Sequence, residues 1–272
     1  MKKFSWILAV GAVLGAWLSA TYICPSDGRI TLTQAILQLS GSRGIFALGT
    51  SFTELLGFSL RLIPILAFQA LAGIRLYRHY CVASVYVFSR IPRRTSWYLR
   101  QVGSIAAWAA TYQLFTMMAV IAVAAVRYEL VPDDFGVRIF LLHFLVCFLW
   151  TVATTMAVNL VAVWRGSDGG FLFVAVVQAA LIAAFALLNH FSDDPGLQSL
   201  IVRVNPISCL VLGWHSSKSS ELSAILASPY GGIYPAFSIV YVLILCVIAT
   251  VVGGVLVSRH DLLASNTETG GN

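Results

Sequence analysis

Long apolar runs constrain the fold of this chain more than any other feature. Runs of about 20 apolar residues recur along its 272 residues, of which 59% are hydrophobic and only 10% are charged. A helix of that length spans the hydrocarbon core of a bilayer. Because lipid offers the backbone no hydrogen-bond partner, and because the runs lack the alternation of strands, helices are the only structures that fit. We therefore predict an all-α, polytopic membrane protein.

The apolar runs predict six membrane-spanning helices in one transmembrane domain that covers residues 1–272. Ten of the 17 Lys and Arg residues lie on the side of the two chain ends and six on the opposite side, with Arg61 inside a span. Since basic residues accumulate in cytoplasmic loops, we expect both ends in the cytoplasm. The net charge of +6 follows from this bias and does not indicate a nucleic-acid partner. The predicted spans are approximately residues 4–23, 50–74, 102–126, 137–164, 170–189 and 235–257.

Two longer segments are predicted outside the membrane. Residues 24–49 contain a candidate interfacial helix between turn-forming residues at 25–28 and at 41–44. In the second segment, residues 197–212 are apolar enough to re-enter the membrane or to lie at its surface, with a break at Asn205 and Pro206. Trp214, Tyr230 and Tyr234 are expected at the level of the lipid headgroups, where aromatic residues are enriched.

Small residues recur every four positions along the first span, at Gly11, Gly15 and Ser19. Such a stripe lets a second helix approach closely. It fits packing within this chain or contact with a second copy, and we favour packing within the chain. The five cysteines are scattered and lack CxxC spacing, which argues against a metal site or a disulfide framework. Whether Cys24 and Cys209, both on the predicted outer side, form a disulfide is left open by the sequence.

Two charged residues, Glu54 and Arg61, lie within the second predicted span, which Pro64 is expected to kink. An arginine in the middle of a bilayer costs about 2.5–3.5 kcal/mol on insertion scales, so its side chain should face protein or water. One interpretation places Arg61 and Glu54 on a translocation path. The other has Arg61 bonded to carbonyl or polar groups of a neighbouring helix, and the two interpretations remain open.

Several catalytic functions are excluded by missing motifs. The chain has no GxxxxGK[ST] phosphate-binding loop, no HExxH and no GxSxG, and no span holds two carboxylates. Its five histidines fall in different loops and spans, so we predict neither an enzyme nor a cofactor-binding protein. Internal repeats and acidic pairs, which are typical of secondary transporters, are also missing from the sequence. If the protein transports a substrate, the energy should come from a partner.

A basic, aromatic segment from Arg75 to Arg100 joins the second and third predicted spans. It contains no acidic residue, and Pro92 separates an amphipathic first half from a second half that leads into the third span. Arginines with aromatic neighbours are frequent at protein interfaces, although the charge alone would satisfy the cytoplasmic bias. We favour docking of a cytoplasmic partner. The arginines are Arg75, Arg78, Arg90, Arg93, Arg94 and Arg100.

The stretch from Tyr86 to Arg100, YVFSRIPRRTSWYLR, resembles the loop after the second span in ABC-2 type permeases, in particular those of the bacteriocin-export and self-immunity group. The resemblance implies a permease subunit of an ATP-binding cassette exporter in a bacterial plasma membrane, with both termini cytoplasmic. It also implies a coupling helix between spans 2 and 3 that contacts a separate ATPase subunit. Carried over by position, the contact residues are Ser89, Arg90, Arg93, Arg94 and Trp97.

The same resemblance implies a dimer of permeases, either two identical copies or one copy with a homologue. The substrate would be amphipathic, such as a peptide, an antibiotic or a lipid-linked molecule. Two other functions remain open: a non-transporting anchor or sensor subunit of a larger complex, and an ATP-independent channel or carrier. An associated ATPase would favour the permease, whereas tight assembly without an ATPase would favour the anchor or sensor subunit.

Overall fold

The computed structural model describes residues 2–41, 52–78, 94–191, 195–216 and 233–259. These residues are mostly helical, and among them five helices are long and apolar enough to cross a membrane. The prediction of a helical fold with helices suited to a membrane is therefore confirmed at this coarse level, although two short strands are present as well. The helices are α1 (Lys2–Tyr22), α2 (Leu32–Ser40), α3 (Phe52–Arg61), α4 (Ile63–Ala72), α5 (Arg75–Tyr77), α6 (Arg94–Arg127), α7 (Gly136–Gly166), α8 (168–191), α9 (Pro195–Val204) and α10 (Pro235–Arg259).

The second predicted span is not one continuous helix. It divides at Leu62 into α3 and α4, because Pro64 lies in the first turn of α4 and has no backbone N–H to continue the hydrogen bonds of α3. The predicted kink at Pro64 is confirmed. After α4, Gly73 and Ile74 form a turn that leads into the short helix α5.

The third predicted span is longer than expected. Helix α6 has 34 residues and begins at Arg94, whereas the apolar run begins at residue 102. At 1.5 Å per residue it is about 50 Å long, which exceeds the roughly 30 Å of a hydrocarbon core. Its first two turns therefore extend the helix into the basic segment.

A single glycine separates α7 from α8. The helical stretch Gly136–Phe191 is interrupted at Gly166, whose φ of 79° and ψ of 170° lie outside the helical region. Glycine takes a positive φ without the clash that a Cβ atom would cause. This break coincides with the tight inner turn predicted between the fourth and fifth spans.

One end of the bundle is closed by a short parallel pairing of two strands, β1 (Arg29–Thr31) and β2 (Glu129–Val131). The pairing joins the segment after α1 to the segment after α6. Helix α2 follows β1 directly, as predicted for an interfacial helix, and its N-terminus is capped by the Thr31 side chain and by Asp133, which accepts from the backbone N–H of Thr33 at 3.2 Å. The segment after α1, which was predicted on the outer side, thus lies against the segment after α6.

The segment from 195 to 216 packs on the same bundle. Asn205 ends α9, accepts from the backbone N–H of Ile207 at 3.0 Å and donates to the Leu181 carbonyl at 2.8 Å, which confirms the predicted break. Two 3-10 turns follow, Pro206–Leu210 and Leu212–Trp214. The expectation for Trp214 is wrong: its side chain is fully buried against Phe185 instead of lying at a membrane surface, because the 3-10 turns direct it into the core.

Helix α1 packs along α6 through its small residues. A Cβ atom at Gly11 would lie 2.7 Å from Cε2 of Tyr112, and one at Gly15 would collide with the Thr116 carbonyl. Ser19 is buried as well. The stripe therefore serves packing within this chain, as favoured from the sequence, and lets α1 and α6 approach closely.

The sequence left open a disulfide between Cys24 and Cys209. Both cysteines are free, Cys24 on the surface and Cys209 in the core, so no disulfide joins them. Many apolar side chains on the outer faces of α1, α6, α8 and α10 are exposed, among them Val247 and Val251 of α10. Such faces suit contact with lipid or with another apolar helix.

Candidate functional site

The basic segment is described only at its two ends. Ser89, Arg90 and Arg93, predicted to contact a partner, lie outside the described residues. Arg94 is half-buried at the start of α6, and Trp97, one turn later, is only 8% exposed and belongs to the core. The contact role predicted for these five residues stays a prediction, and the Trp97 ring packs within the bundle in this conformation.

The beginning of the segment is fixed to two helices. The guanidinium of Arg75 lies 4.0 Å from the ring centroid of Trp108 in α6, a cation–π contact. The backbone N–H of Tyr77 donates to Oδ1 of Asn159 in α7 at 3.0 Å, and Nδ2 of Asn159 donates to the Thr155 carbonyl at 2.8 Å. Asn159 is fully buried, so its amide holds α5 against α7 from inside.

The end of the segment is fixed to the last helix. Tyr98 is 1% exposed, and its ring lies over Gly253 and Gly254 of α10, where a side chain at Gly253 would collide with the Tyr98 hydroxyl. Leu160 of α7 packs at the same place, with Cδ2 at 3.1 Å from the Cβ position of Gly253. Displacement of the residues between 78 and 94 would thus act on α6, α7 and α10 together.

Arg61 lies near the opposite end of the bundle. Its guanidinium is 4.0 Å from the ring centroid of Tyr22, the last residue of α1, and Nη2 donates to the Gln38 carbonyl of α2 at 3.4 Å. The Tyr22 hydroxyl in turn donates to the Gly57 carbonyl of α3 at 2.8 Å. The interpretation in which Arg61 bonds a neighbouring carbonyl is therefore realised. Glu54 belongs to α3, and its side chain is outside the described part.

A small cavity of about 40 Å³, here called the Arg61 chamber, lies beside this arginine. It is lined by residues of α1, α2, the α3–α4 break, α6, α7 and the 3-10 turn after α9. A cavity needs roughly 10–15 Å³ to hold one water molecule, so the chamber has room for about three. Its polar lining side chains are Ser40, Arg61, Gln113, Thr116 and His143, and its apolar ones include Leu18, Phe58, Met117 and Leu210.

Two buried polar atoms of the chamber residues have no hydrogen-bond partner. They are Nε of Arg61 and Oε1 of Gln113. By contrast, the Thr116 hydroxyl donates to the Tyr112 carbonyl at 3.0 Å and the Ser40 hydroxyl to the Leu37 carbonyl at 3.2 Å. A buried donor or acceptor that lacks a partner costs about 1–3 kcal/mol, more for a charged group. The chamber therefore offers both a charge and hydrogen-bonding capacity to a small ligand.

A buried polar network, which sequence reasoning missed, connects α4, α7 and α8. Nε2 of Gln69 donates to the Thr154 hydroxyl at 2.7 Å, and Nε2 of Gln178 donates to Oε1 of Gln69 at 3.1 Å. Nε1 of Trp150 donates to Oε1 of Gln178 at 3.3 Å. The available signal was one glutamine in each of two apolar runs, since a lone amide in lipid needs a partner on another helix.

No group of three His, Cys, Asp or Glu side chains in the described ranges is arranged to hold a metal ion. Comparison of the chain with protein-family models, with curated proteins and with solved structures finds no match. A functional assignment for this protein thus rests on its sequence and on the geometry given above.

Proposed function

We propose that the protein is the membrane-spanning permease subunit of an ATP-binding cassette exporter of the ABC-2 type, and that a separate ATPase subunit supplies the energy. The observation that carries the proposal is the attachment of the basic segment at both ends to buried sites. Tyr77 binds Asn159, and Tyr98 packs over Gly253. A partner that pulls or pushes the intervening arginines would therefore move several helices.

In this proposal the chain crosses the membrane six times: by the five long helices and by α3 and α4, which together form the second span in chain order, broken at Leu62. The contacts support that count. Helices α1 and α6 run in the same direction, because Arg127 near the end of α6 donates to the Ala20 carbonyl near the end of α1 at 3.0 Å. The chain between them must therefore return to the end where α1 begins. Arg61 lies beside Tyr22 at the end of α1, and Arg75 lies beside Trp108 in the first half of α6, which supports a return along α4. Both termini then lie on the cytoplasmic side of a bacterial plasma membrane.

Ser89, Arg90, Arg93 and Arg94 would meet the ATPase, and the amphipathic half of the basic segment before Pro92 would form the coupling helix. Charged and aromatic groups at an interface set specificity and the rate of encounter. The buried Trp97 would take a different part, because its ring anchors the segment in the bundle. No residue of this chain hydrolyses ATP in the proposal, and no cofactor is bound.

The substrate would pass between two permeases, identical or homologous, since the Arg61 chamber is too small for an amphipathic molecule. Pocket sizes of roughly 300–1,000 Å³ are usual for drug-sized ligands. Arg61 and Glu54 would border the path at its outer part. Exposed apolar side chains on α8 and α10 would contact lipid or the second permease.

The decisive experiment is mild affinity purification of the tagged protein from its native membrane, followed by mass spectrometry. We expect a P-loop ATPase of about 25–35 kDa, the size of one domain or slightly more, in stoichiometric amount. A pure preparation that contains other subunits and no ATPase would contradict the proposal.

Charge reversal tests the contact itself. We expect the combined substitutions Arg90→Glu, Arg93→Glu and Arg94→Glu to release the ATPase while the permease remains folded in detergent. The matched control is Arg138→Glu with Arg203→Glu, two exposed arginines at the other end of the bundle. Retention of the ATPase by the triple variant would show that the basic segment only fixes the orientation in the membrane.

A second function, a non-transporting anchor or sensor subunit, is compatible with one observation. The interior is closely packed where helices α1, α4, α6 and α7 meet, and the chamber there measures about 40 Å³. Such packing suits a rigid membrane anchor as well as a permease whose path lies outside the single chain. Stable assembly with membrane or envelope proteins in the absence of an ATPase would support this function.

A further inference from the structure

The Arg61 chamber holds a positive charge without a matching negative one among its described lining residues. A guanidinium remains protonated in proteins. The same cavity is lined by the apolar residues Leu18, Phe58, Leu62 and Ile65. No Asp or Glu side chain is among the described residues that line it. Burial of an unpaired charge is costly, and a ring face at 4.0 Å with a long 3.4 Å bond to a carbonyl compensates for only part of that cost.

Three side chains that line the chamber carry N–H groups: Arg61, Gln113 and His143. Nε of Arg61 has no partner. The terminal amide of Gln113, 6% exposed, can turn by 180° without a change of shape and then directs its NH₂ group to the place where Oε1 now lacks a partner. The ring nitrogens of His143 lie 3.7 and 3.8 Å from the Cys147 thiol, a weak partner that leaves the imidazole N–H available.

The volume limits what these donors can bind. Because about 40 Å³ accommodates about three water molecules, a carboxylate-bearing peptide or a lipid headgroup does not fit. Water alone would satisfy the donors but would leave the charge of Arg61 without a negative partner among the described lining residues. We propose that the Arg61 chamber is a binding site for a small monovalent anion of the size of chloride or bromide, held by Arg61 and Gln113.

The site connects the α3–α4 break, with its contacts to α1 and α2, to the middle of α6. Arg61 already contacts Tyr22 of α1 and Gln38 of α2, and Gln113 belongs to α6. An anion between Arg61 and Gln113 adds a link from the α3–α4 break to α6. A ligand that binds only the folded state raises the free energy of unfolding by an amount that grows with its concentration.

The test uses the purified full-length protein in detergent, with sodium chloride, sodium bromide and sodium gluconate compared at equal ionic strength. We expect a higher melting temperature in chloride and bromide than in gluconate, with a saturable dependence on halide concentration. Arg61→Gln and Gln113→Leu should each abolish the difference. Arg138→Gln, at an exposed arginine, should retain it.

A direct measurement covers the case in which the Arg61 variant fails to fold. Crystals of the unaltered protein grown with bromide should show an anomalous scattering peak between Arg61 and Gln113. No peak, together with equal melting temperatures in halide and gluconate, would mean that the chamber holds water only and would overturn the proposal. A halide effect that persists in Gln113→Leu would also overturn it. Neither readout requires an ATPase or a transported substrate, so the result is independent of the proposed transport function.

Discussion

Because Gly253 has no side chain, α10 can approach the start of α6 more closely than a single methyl group would allow. A Cβ atom there would collide with the Tyr98 hydroxyl. It would also lie 2.8 Å from Cζ of Tyr98 and 3.1 Å from Cδ2 of Leu160. At the neighbouring Gly254, Cε1 of Tyr98 is 3.7 Å from the Cβ position, an ordinary contact. The two adjacent glycines therefore form a matched pair.

We predict that Gly253→Ala lowers the free energy of unfolding by about 1–3 kcal/mol, the usual cost of overpacking a filled core. Gly254→Ala should be neutral or slightly stabilising, because alanine favours helix over glycine by about 1 kcal/mol. Denaturant titration in mixed micelles measures both. Adding Tyr98→Phe to Gly253→Ala removes the colliding oxygen and should recover part of the lost stability. Equal stability of the two alanine variants would refute this close packing.

Single residues show where the sequence was informative. Gly11 and Gly15 were correctly assigned to packing within the chain because their spacing defines one helix face. Trp214 was misplaced, because an aromatic residue in a polar-flanked segment has the same local pattern at a membrane surface and inside a bundle. The partners of Arg61, Tyr22 and Gln38, are 39 and 23 residues away along the chain, and only the fold could identify them.

At the scale of elements, local signals predicted breaks better than lengths. Pro64 and the Asn205–Pro206 pair interrupt helices where expected, since a missing N–H acts locally. The start of α6 at Arg94 agrees with the prediction that the half of the basic segment after Pro92 leads into the third span, and the buried Trp97 and Tyr98 explain why its polar first turns are helical. The three-residue strands β1 and β2 pair across 100 residues and leave no periodic pattern in the sequence.

One histidine holds the segment that precedes α10 to that helix. His215 is fully buried, with Nδ1 3.1 Å from the Val211 carbonyl oxygen and Nε2 2.8 Å from Oγ of Ser238 in α10. In the neutral ring Nδ1–H donates to Val211, and Nε2 accepts from the Ser238 hydroxyl. Burial lowers the pKa of His215 from 6.5 to about 4. The uncharged ring is thus the form that fits this site.

We predict that acid weakens the fold through His215. Between pH 6.5 and about 4 the unfolded chain binds a proton that the folded chain does not, so the free energy of unfolding falls as the pH falls, by up to about 1.4 kcal/mol per pH unit. Above pH 6.5 this contribution is constant. Across that range, the free energy of unfolding of His215→Gln should depend less steeply on pH than that of the unaltered protein, by the equivalent of one bound proton. Identical slopes in the two proteins would exclude His215 as the source.

At the scale of the whole molecule, the two ends of the bundle differ in chemistry. The β1–β2 pairing, α2 and Asp133 lie at the end where α1 finishes. The basic segment and the break at Gly166 belong to the opposite end, where Tyr98 meets Leu160 and Gly253. The charge bias predicted from sequence assigns the first end to the outside and the second to the cytoplasm.

The sequence can predict such a division, which stays a prediction, because charge and apolar length are additive properties of segments. It could not predict how the helices pack, since close contacts such as Gln69 with Gln178 depend on residues 109 positions apart. The count of spans differs for the same reason. Five long helices alone would place the chain ends on opposite sides, and the broken pair α3–α4 restores the expected six only if it crosses the membrane.

Native Cys24 provides a test of that crossing. It is exposed at the end of α1, whereas Cys147, Cys209 and Cys246 are buried. In a Cys81→Ser background, we expect a membrane-impermeant maleimide added to intact cells to label the protein, and Cys24→Ser to abolish the labelling. Buried thiols should react only after unfolding, because the reagent needs access to the thiolate.

A second reporter at the other end completes the argument. Arg165→Cys, in the background that lacks Cys24 and Cys81, places a thiol at an exposed position beside the Gly166 break. Six spans require that this thiol reacts only in inside-out vesicles or opened cells. If Arg165→Cys and Cys24 react from the same side, α3–α4 does not cross as proposed. The basic segment could then not face a cytoplasmic ATPase while α1 ends outside, and the proposed transport function would fail with the topology.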